Sequence, residues 1–529
     1  MDKKAICLRL LFRSAVLKGG ASMYCLVIFR FFLSLFLSGM LQSVFASEFK
    51  YWVHPGIPNL VFGDEVQGCE YLYSPYFWSL PDYYEPSFNK YVVVQVVGKI
   101  LTYQCGNRYA SAPSYVFGEI ALLTLSCENG SMLDRSMAGC AYSAQKGRPE
   151  NSLACKVPSS FVGNPINIAN GNKYEEEVDL AVGEASPILV SRSYNSMDGR
   201  WRHSYSSSLI FGEDAVVVVN ADGRQASFTF DGVGYLSATD NGRLQVQQNG
   251  WVYQYSSGVR EYFSLTGVLL KKVDVLGREQ RLEYIKSGVD RRINIQDDSG
   301  RNVRIVEDPL AQLKSITYGD REFAFEYDVR NHLVSKREII AGVPRKQRIY
   351  HYEVDGKEGL LTGITDERGV RYATWSYDLQ GRAITSEHSG GAGRVQVTYK
   401  SDAISSVVNE LGKSTVYSFE RIGGVKRIIS IEGEPSPNCS VSNSRFTYNE
   451  RGQVLTKTDA KGQITTYDYN GRGLETSRTE ASGTTLARTV TTEWDPERFL
   501  PIRVTEPDRI TTYRYDVQGR EISRQTTSR

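Results

Sequence analysis

The sequence predicts a mainly β protein whose larger part is one long repeat sheet. The chain of 529 residues contains 33 tyrosines and 47 glycines; tyrosine favours strands and glycine favours tight turns. In the second half of the chain, one phrase recurs: an aromatic residue, a Tyr-Asp pair, two further residues and Gly-Arg. The charges nearly balance, with 62 basic and 60 acidic residues, and no basic stripe indicates a nucleic-acid partner.

Residues 1–46 have the pattern of a signal peptide. The apolar stretch 31–46 has the length of a signal-peptide core and is short for a membrane-spanning helix. Ala46 provides the small residue that a leader peptidase needs, so we predict cleavage after it. Translation starts at either Met1 or Met23, and the alternative to cleavage is an uncleaved anchor. Both alternatives place the remainder outside the cytoplasm, secreted or in the cell envelope, with membrane contact only through an uncleaved leader.

Cysteine usage agrees with an oxidising compartment. Two of the eight cysteines lie in the leader, which leaves an even number after it. We predict a small disulfide-containing β or α+β domain over residues 47–155, followed by a linker over 156–162. Two bridges are expected within its cysteine cluster, and the fifth cysteine stays free, pairs with the isolated one or pairs with another chain. The disulfide candidates are Cys69, Cys105, Cys127, Cys140, Cys155 and Cys439. An aromatic block at 71–84 packs in the core of this domain or binds sugars or a partner.

The residue pattern of the sequence changes at Gly163. Residues 163–174 read GNPINIANGNKY, and residues 187–196 read PILVSRSYNS. Asn-Gly at 170–171 is a strong hairpin signal, and the second stretch alternates from apolar residues into a polar and aromatic strand. The pattern predicts turn, strand, turn and strand over residues 163–205.

Each residue of the repeated phrase has a physical role. The alternating aromatics place two large rings on one strand face. Asp or Asn accepts a backbone N–H of the following turn, and Gly, or Asn331 in its place, takes the left-handed conformation that ends the turn. One repeat is therefore a hairpin that cannot bury its own face, and stacked repeats form a continuous sheet over residues 206–529. The residues assigned to these structural roles are Tyr327, Asp328, Tyr377, Asp378, Gly381, Arg382, Tyr467, Asp468, Gly471, Tyr515, Asp516, Gly519 and Arg520.

Residues 163–205 and the repeats together resemble the bacterial Rhs/YD-repeat family. In that family a similar lead-in domain precedes the repeats, the sheet spirals into a hollow shell, and the shell commonly encloses a C-terminal toxin. The resemblance implies a YD-repeat β-sheet that forms an open strip or a partial shell. Three departures accompany it: the chain ends directly after a repeat with no toxin or self-cleavage signature, the array is short, and a leader with a cysteine-rich domain stands where relatives carry a spike-tip domain.

The sequence offers no catalytic, cofactor or metal motif. None of the five histidines belongs to an HExxH sequence, and there is no GxSxG nucleophile elbow or P-loop. The cysteines form no CxxC pair, which argues against a zinc site. Runs of carboxylates such as Glu175-Glu176-Glu177 say little in a chain with 60 acidic residues.

These observations predict a non-enzymatic repeat scaffold of an Rhs-type exported protein, related to toxin delivery or contact-dependent competition. We expect it to be a truncated or orphan member that lacks its toxin. Its expected partners are a toxin cargo, another Rhs-system protein or surface glycans, with no nucleic acid and no cofactor. The alternative is a cell-surface carbohydrate-binding or adhesion protein.

Overall fold

The protein is described by a computed structural model. It gives the backbone of residues 47–54, 57–62, 95–97, 100–107, 115–127, 132–134 and 139–141, and the complete residues 145–149, 158–433 and 443–529 apart from 185–186, 213–214, 238, 358 and 518. These ranges belong to one structural unit, Ser47–Arg529. Their regular elements are strands, apart from a short 3-10 helix at Ser389–Gly391. The predicted mainly β class with one large antiparallel sheet is confirmed.

Seven strands lie within the region predicted as a cysteine-rich domain. Five form an antiparallel sheet in the order β2-β1-β5-β4-β3, and the other two form a hairpin. The seven are β1 (Ser47–His54), β2 (Ile57–Phe62), β3 (Gln95–Val97), β4 (Ile100–Asn107), β5 (Tyr115–Cys127), β6 (Met132–Asp134) and β7 (Gly139–Ala141).

Five strands build the lead-in segment, residues 163–205, and its approach. They are β8 (Phe161–Val162), β9 (Ile166–Asn167), β10 (Tyr174–Val182), β11 (Ile188–Asn195) and β12 (Arg200–His203). The first two pair with each other, and the last three form a sheet in chain order. Strand β8 begins inside the range 156–162 that the sequence predicts as a linker. Gly171 has a φ of 84° in the turn between β9 and β10, and its N–H donates to the carbonyl of Asn167, four residues earlier, at 2.7 Å. The turn is therefore longer than a two-residue Asn-Gly hairpin turn.

The remaining thirty strands form one antiparallel sheet. The first half comprises β13 (Ser208–Phe211), β14 (Ala215–Val219), β15 (Gln225–Phe230), β16 (Tyr235–Leu236), β17 (Arg243–Gln247), β18 (Gly250–Gln254), β19 (Arg260–Phe263), β20 (Leu269–Val273), β21 (Glu279–Ser287), β22 (Asp290–Asp297), β23 (Asn302–Glu307), β24 (Leu313–Tyr318), β25 (Arg321–Tyr327), β26 (Leu333–Ile340) and β27 (Val343–His351).

The second half continues without a break in the pairing order. It comprises β28 (Gly363–Thr365), β29 (Arg371–Tyr377), β30 (Ala383–His388), β31 (Val395–Ser401), β32 (Ile404–Val408), β33 (Ser414–Ile422), β34 (Val425–Gly433), β35 (Ser444–Tyr448), β36 (Val454–Thr458), β37 (Ile464–Tyr469), β38 (Glu475–Glu480), β39 (Arg488–Trp494), β40 (Pro501–Thr505), β41 (Arg509–Tyr515) and β42 (Glu521–Ser528).

The topology of the large sheet is a meander in which neighbours in sequence are neighbours in space. Within the described strands from β13 to β42, the sheet order follows chain order throughout. Because each strand reverses direction, the turns after odd-numbered strands lie at one end of the strands, and the turns after even-numbered strands lie at the other end. We call each of these two rows of turns an edge of the sheet. The Tyr-Asp turns after β25, β29 and β41 therefore share one edge, whereas the turns at 274–278, 366–370 and 459–463 share the opposite edge.

The core lies between the lead-in segment and one face of the large sheet, which we call the lead-in face. Val190 and Tyr194 of β11 are fully buried in one cluster with Ile305 and Ile364 of the sheet. Ile168 belongs to a second cluster with side chains from β30 to β37. Burial of one such aliphatic or aromatic side chain contributes about 1.5–3 kcal/mol, so the lead-in segment and the sheet stabilise each other. All eight residues of β42 are exposed.

Candidate functional site

A buried cluster of charges joins the lead-in segment to the large sheet. Glu175, Glu177 and Asp179 alternate along β10, so their side chains share one face of that strand. Arg192 stands directly opposite Glu177 in the pairing of β10 with β11. Its guanidinium donates to Glu177 at 2.6 Å and to both carboxylate oxygens of Asp179 at 2.6 and 2.9 Å.

The sheet supplies the other half of this charge cluster. The Nζ of Lys336 donates to Asp179 at 2.8 Å, and the guanidinium of Arg348 donates to Glu177 at 2.9 Å. The hydroxyl of Tyr350 donates to Glu177 at 2.6 Å. Lys336 and Arg348 face each other across β26 and β27, so neighbouring strands place both cations on the lead-in face.

Burial and charge act against each other at this cluster. Burial opposes ionisation of Glu177, but the nearby Arg192 and Arg348 outweigh it and hold the pKa of Glu177 below its usual value. Burial likewise opposes the charge of Arg192, but Asp179 and its neighbours raise the pKa of that guanidinium well above its usual value. Both shifts favour the ionised forms of Glu177 and Arg192, so removing either side chain would leave the other charged in a buried place with one partner fewer.

Further buried pairs extend the interface along the lead-in segment. The Nε2 of His203 lies 2.6 Å from the carboxylate of Glu307 in β23, whose other oxygen accepts from Arg291 at 2.8 Å. Lys173 pairs with Glu175 at 2.6 Å, and its Nζ lies 4.1 Å from the ring centre of Trp375. The His203–Glu307 pair and the contact of Lys173 with Trp375 join the lead-in segment to two different parts of the sheet.

Neutral hydrogen bonds also connect the lead-in segment to the sheet at the same interface. The hydroxyl of Tyr194 donates to the carbonyl of Gly359 at 2.6 Å and accepts from the N–H of Leu361 at 2.9 Å. The indole of Trp375 donates to the carbonyl of Asn164 at 2.8 Å. The lead-in segment thus contacts strands that lie far apart in sequence, and it fixes their relative positions.

The repeat turns share one hydrogen-bond pattern, seen clearly at Asp378. Its Oδ1 accepts the N–H groups of Gln380 and Arg382 at 2.9 Å each, and its Oδ2 accepts from the Nε of Arg382 at 2.7 Å. Gly381 has a φ of 81°, the left-handed conformation that glycine adopts without a steric penalty. Burial opposes ionisation of Asp378, but Arg382 and the backbone donors hold its pKa below the usual value.

The predicted residues of two other copies occupy matching places. Asp328 accepts the N–H groups of Arg330 and His332 at 2.9 and 2.8 Å, and Asn331 takes a φ of 67° where most copies have glycine. In the last copy, Asp516 accepts from the backbone N–H of Arg520 at 2.8 Å and pairs with its guanidinium. Gly519 has a φ of 86°.

The tyrosine before each turn residue ties its strand to the start of the preceding strand. The hydroxyl of Tyr327 donates to the carbonyl of Leu313 at 3.0 Å, and that of Tyr377 donates to Leu361 at 2.7 Å. Tyr399, Tyr448, Tyr469 and Tyr515 make the same kind of bond. This bond adds to the strand ladder and gives the tyrosine of the Tyr-Asp pair a polar role as well as an apolar one.

The structure corrects one copy of the repeat. The sequence assigns Asp468 and Gly471 to the turn, but β37 continues to Tyr469, and Asn470 is the residue that accepts the backbone N–H groups of the turn. Gly473, with a φ of 82°, takes the left-handed position. Asp468 instead lies within the strand opposite Ser477. Tyr467 lies two residues before Tyr469 and is buried on the lead-in face.

Successive Tyr-Asp turns are also linked by long side chains that the sequence did not single out. The amide of Gln453 donates to the carbonyl of Gly473 at 2.8 Å. Arg472 donates to the carbonyl of Arg498 at 3.2 Å, and Arg498 donates to the carbonyl of Asp516 at 2.8 Å. These bonds connect turns that lie about one hairpin apart and stiffen that edge of the sheet.

Several predictions fall on parts of the chain that the structure leaves undescribed. The leader at 1–46, the aromatic block at 71–84 and three of the cysteines (Cys69, Cys155 and Cys439) lie outside the described residues. Cys105, Cys127 and Cys140 lie in strands of which only the backbone is described. The disulfide assignments therefore stay predictions.

Within the described ranges, no group of histidine, cysteine and acidic side chains has an arrangement that could hold a metal ion. The same ranges contain no helix that is long and apolar enough to cross a bilayer. The described residues instead form an ionic interface and a row of capped turns, and both hold the structure together.

The residues at the charged interface were missed by sequence reasoning. Their only local signal is the period-two spacing of acidic residues before Arg192, which predicts one shared strand face. Lys336 and Arg348 lie 157 and 171 residues away from the carboxylates they contact. Only the fold brings them together.

Two family models match the chain. The family described as a domain of unknown function, DUF6531, matches residues 163–228, and the family described as RHS Repeat matches residues 448–485. The first range contains the lead-in segment and the first strands of the large sheet. The second contains the turns at 449–453, 459–463 and 470–474.

Named relatives resemble the chain over similar lengths. A probable deoxyribonuclease, RhsB of Dickeya dadantii, is 24% identical over 382 residues, which are 63% of this chain and 25% of that protein. The toxin protein Tse5 of Pseudomonas aeruginosa is 24% identical over 389 residues, 63% of this chain and 29% of Tse5. The chain thus spans about a quarter of the length of these relatives.

Among solved structures, a Photorhabdus luminescens Tc holotoxin pore matches 71% of this chain and 19% of its own, with 13% identity and a TM-score of 0.30. The family models and the named Rhs relatives confirm the resemblance that the lead-in residues and the Tyr-Asp repeats carry. The lead-in segment and the repeats of this chain are thus of the Rhs/YD-repeat type.

Proposed function

We propose that this chain is a non-enzymatic scaffold of an Rhs-type exported protein that serves toxin delivery or contact-dependent competition. The observation that carries the proposal is the thirty-strand sheet, fixed to the lead-in segment through buried ion pairs. Such an interface suits a scaffold whose sheet keeps a fixed geometry. It is a poor place for chemistry, because its ionic groups are buried and already paired.

The names of the relatives support the scaffold role. The chain matches proteins named as probable deoxyribonucleases, as a double-stranded DNA deaminase toxin and as the toxin Tse5, in each case over about 60–64% of its own length. Proteins with different named activities thus share similarity to this one chain. A shared region is expected to supply what such proteins have in common, and their differing chemistry is expected elsewhere.

Export is the second part of the proposal. Residues 1–46 have the composition of a signal peptide, and six cysteines follow it, so we propose that the mature chain is secreted or held in the cell envelope. Fractionation of the native host with N-terminal sequencing tests this part. We expect a chain that begins at Ser47 outside the cytoplasm, and full-length chain in the cytoplasm with Met1 intact would contradict it.

Two measurements test the scaffold role itself. Purified chain incubated with double-stranded DNA is expected to leave the DNA uncut and undeaminated, and a metal-dependent nuclease or deaminase activity that copurifies with the chain would contradict the non-enzymatic assignment. A producer strain lacking the gene is expected to lose contact-dependent inhibition of a sensitive neighbour, and complementation should restore it. Undiminished inhibition would contradict the delivery role.

A second candidate function, carbohydrate binding or adhesion, is favoured by one observation. Phe230, Tyr235, Trp251 and Phe211 form a chain of rings whose successive centres lie 5.2–5.5 Å apart, and Phe230 is 58% exposed. Exposed aromatic rings are a common means of holding sugars. A glycan array probed with the mature chain and with a W251A variant tests it, and absence of any ligand would exclude this candidate.

A further inference from the structure

A small cleft lies where three distant parts of the chain meet. Its walls come from residues 145–148 and 158–161 before the lead-in segment, from Arg224 and Thr239 near the start of the large sheet, and from residues 425–428 in β34. Its volume is about 70 Å³, several times the roughly 10–15 Å³ that one water molecule needs by the same measure. The cleft therefore has room for a small polyatomic ion.

The lining of the cleft is strongly cationic. Five basic residues line it, namely Lys146, Arg148, Arg224, Lys426 and Arg427. Among the described lining residues there is no aspartate or glutamate. A concave surface with charges of one sign concentrates the electric field and attracts small ions of the opposite sign.

Carboxylates do pair with most of these cations, but from outside the described lining. Lys426 contacts Asp402 at 2.6 Å, and Lys146 contacts Asp198 at 2.7 Å. These acidic partners hold the cationic chains in place without being among the described residues that line the cleft. The basic side chains are thus fixed in position before any ligand arrives, which lowers the entropic cost of binding.

Arg427 differs from the other cations of the cleft. Its Nε is buried and has no hydrogen-bond partner within the described part of the chain. No carboxylate of the described residues forms an ion pair with its guanidinium. The terminal nitrogens of this guanidinium are not among the buried atoms that lack a partner, and an oxyanion in the cleft is a group that could accept hydrogen bonds from them.

We propose that this cleft binds a tetrahedral oxyanion, a phosphate group. Arg427 and Lys426 supply charge, and the planar guanidinium matches the oxygen edge of a phosphate. Ser159, Ser160 and Thr239 line the same cleft and bring hydroxyl groups, the neutral donors that phosphate sites commonly add. A bound phosphate would connect the approach to the lead-in segment with both early and late strands of the sheet.

The test compares the full-length chain with two variants. R427Q removes the guanidinium that lacks a partner, and R445Q removes an exposed guanidinium of β35 that does not line the cleft. Thermal unfolding is followed in sodium phosphate and in sodium chloride at equal ionic strength, and calorimetry gives the phosphate affinity. We expect phosphate to raise the melting temperature of wild type and R445Q, and R427Q to bind phosphate roughly tenfold more weakly, which corresponds to about 1.4 kcal/mol.

Equal melting temperatures of R427Q and wild type in chloride show that the variant is folded, so a lost phosphate response then reports on the cleft. Co-sedimentation with phosphatidylcholine vesicles, with and without phosphatidic acid, distinguishes the source of the phosphate. Binding of inorganic phosphate alone supports a soluble ligand, and additional Arg427-dependent binding to phosphatidic acid supports a lipid headgroup. The proposal is overturned if phosphate acts no differently from chloride, or if R427Q and R445Q respond alike.

Discussion

The side chain of Asp378 holds a whole repeat turn through three hydrogen bonds. Replacing it by alanine leaves two backbone N–H groups without their acceptor and removes the partner of Arg382. We expect D378A to lower the free energy of unfolding by about 1–2 kcal/mol, the usual cost of losing a side-chain cap. Urea unfolding followed by tyrosine fluorescence measures this loss.

The chain provides its own control for that experiment. Asn409, Asn449 and Asn470 accept the same two backbone N–H groups in their turns, so D378N keeps the neutral part of the cap and loses only its charge. We expect D378N to lose less than half as much stability as D378A. Equal losses in the two variants would mean that the carboxylate acts mainly through Arg382.

Asp308 caps another turn but titrates differently. Burial raises the pKa of Asp308 to about 6, with the nearby Glu307 and Asp290 adding to the shift. A carboxyl with a raised folded-state pKa binds its proton more tightly in the folded protein. Its contribution to stability is therefore fully present below about pH 4 and is lost as pH rises to about 6.

D308N removes this titration while keeping an amide that can cap the turn. We expect the variant to gain stability relative to wild type as pH rises from about 4 to about 7, on the order of 1–3 kcal/mol. Melting temperatures of both proteins across that range measure the difference. A constant difference across the range would show that Asp308 titrates at its ordinary pKa.

Residue-level prediction from sequence succeeded where a motif had one possible register. At 377–382 a single Tyr-Asp pair and a single glycine leave no ambiguity, and Gly381 has the expected conformation. At 467–473 two tyrosines, two turn formers and two glycines repeat at a spacing of two, so two registers satisfy the same phrase. The strand decides between them, because Tyr469 bonds to the carbonyl of Val454 and extends β37 by two residues.

At the scale of the element, each Tyr-Asp tyrosine joins two strands at one edge of the sheet. The last strand pair offers a matched comparison, since Tyr513 and Tyr515 lie two residues apart in β41. The hydroxyl of Tyr515 donates to the carbonyl of Pro501 at 2.8 Å, whereas the described contacts of Tyr513 are ring contacts with Tyr515 and Arg524.

We expect Y515F to weaken the local stability of β40 and β41 by about 1 kcal/mol, the net contribution of one hydrogen bond. Y513F, which removes the neighbouring hydroxyl, is expected to change it by much less. Hydrogen exchange of the backbone amides in these strands measures both effects. If the two variants exchange alike, the hydroxyl bond to Pro501 does not stabilise the strand end.

The elements were largely predictable because their signals are local. An Asp-x-x-Gly turn carries its register in a few adjacent residues, and the turns at 366–369 and 378–381 lie where the sequence places them. The boundary at 156–162 was less predictable, because β8 is only two residues long and pairs with β9. So short a strand has no periodicity from which to recognise it.

At the scale of the whole molecule, Arg192 pairs with Glu177 and Asp179 inside the lead-in segment and donates to the hydroxyl of Tyr350 in the large sheet. R192M keeps most of the volume and removes the charge, which leaves two carboxylates with fewer cations in a buried place. We expect a loss of about 3–5 kcal/mol in the free energy of unfolding. Urea unfolding and the rate of limited proteolysis both report it.

R304M serves as the matched control, because Arg304 is exposed on β23 and a surface change of this kind usually alters stability by less than about 0.5 kcal/mol. A similar loss in R192M and R304M would mean that the buried cluster does not hold the lead-in segment to the sheet. This interface could not be predicted from the sequence. Carboxylates on β10 meet cations on β26 and β27, and no local pattern records a contact across so many residues.

The neighbour-to-neighbour pairing of the large sheet also bears on biosynthesis. Strands that pair in chain order can be added hairpin by hairpin as the polypeptide leaves the ribosome or an export channel, with little loop entropy to overcome. The lead-in segment is made first, yet Lys336 and Arg348 follow Asp179 and Glu177 only 157 and 171 residues later. The carboxylates of Asp179 and Glu177 are expected to stay hydrated until Lys336 and Arg348 have been made. These two groups, which are buried in the finished protein, therefore help to keep the unfinished chain in solution.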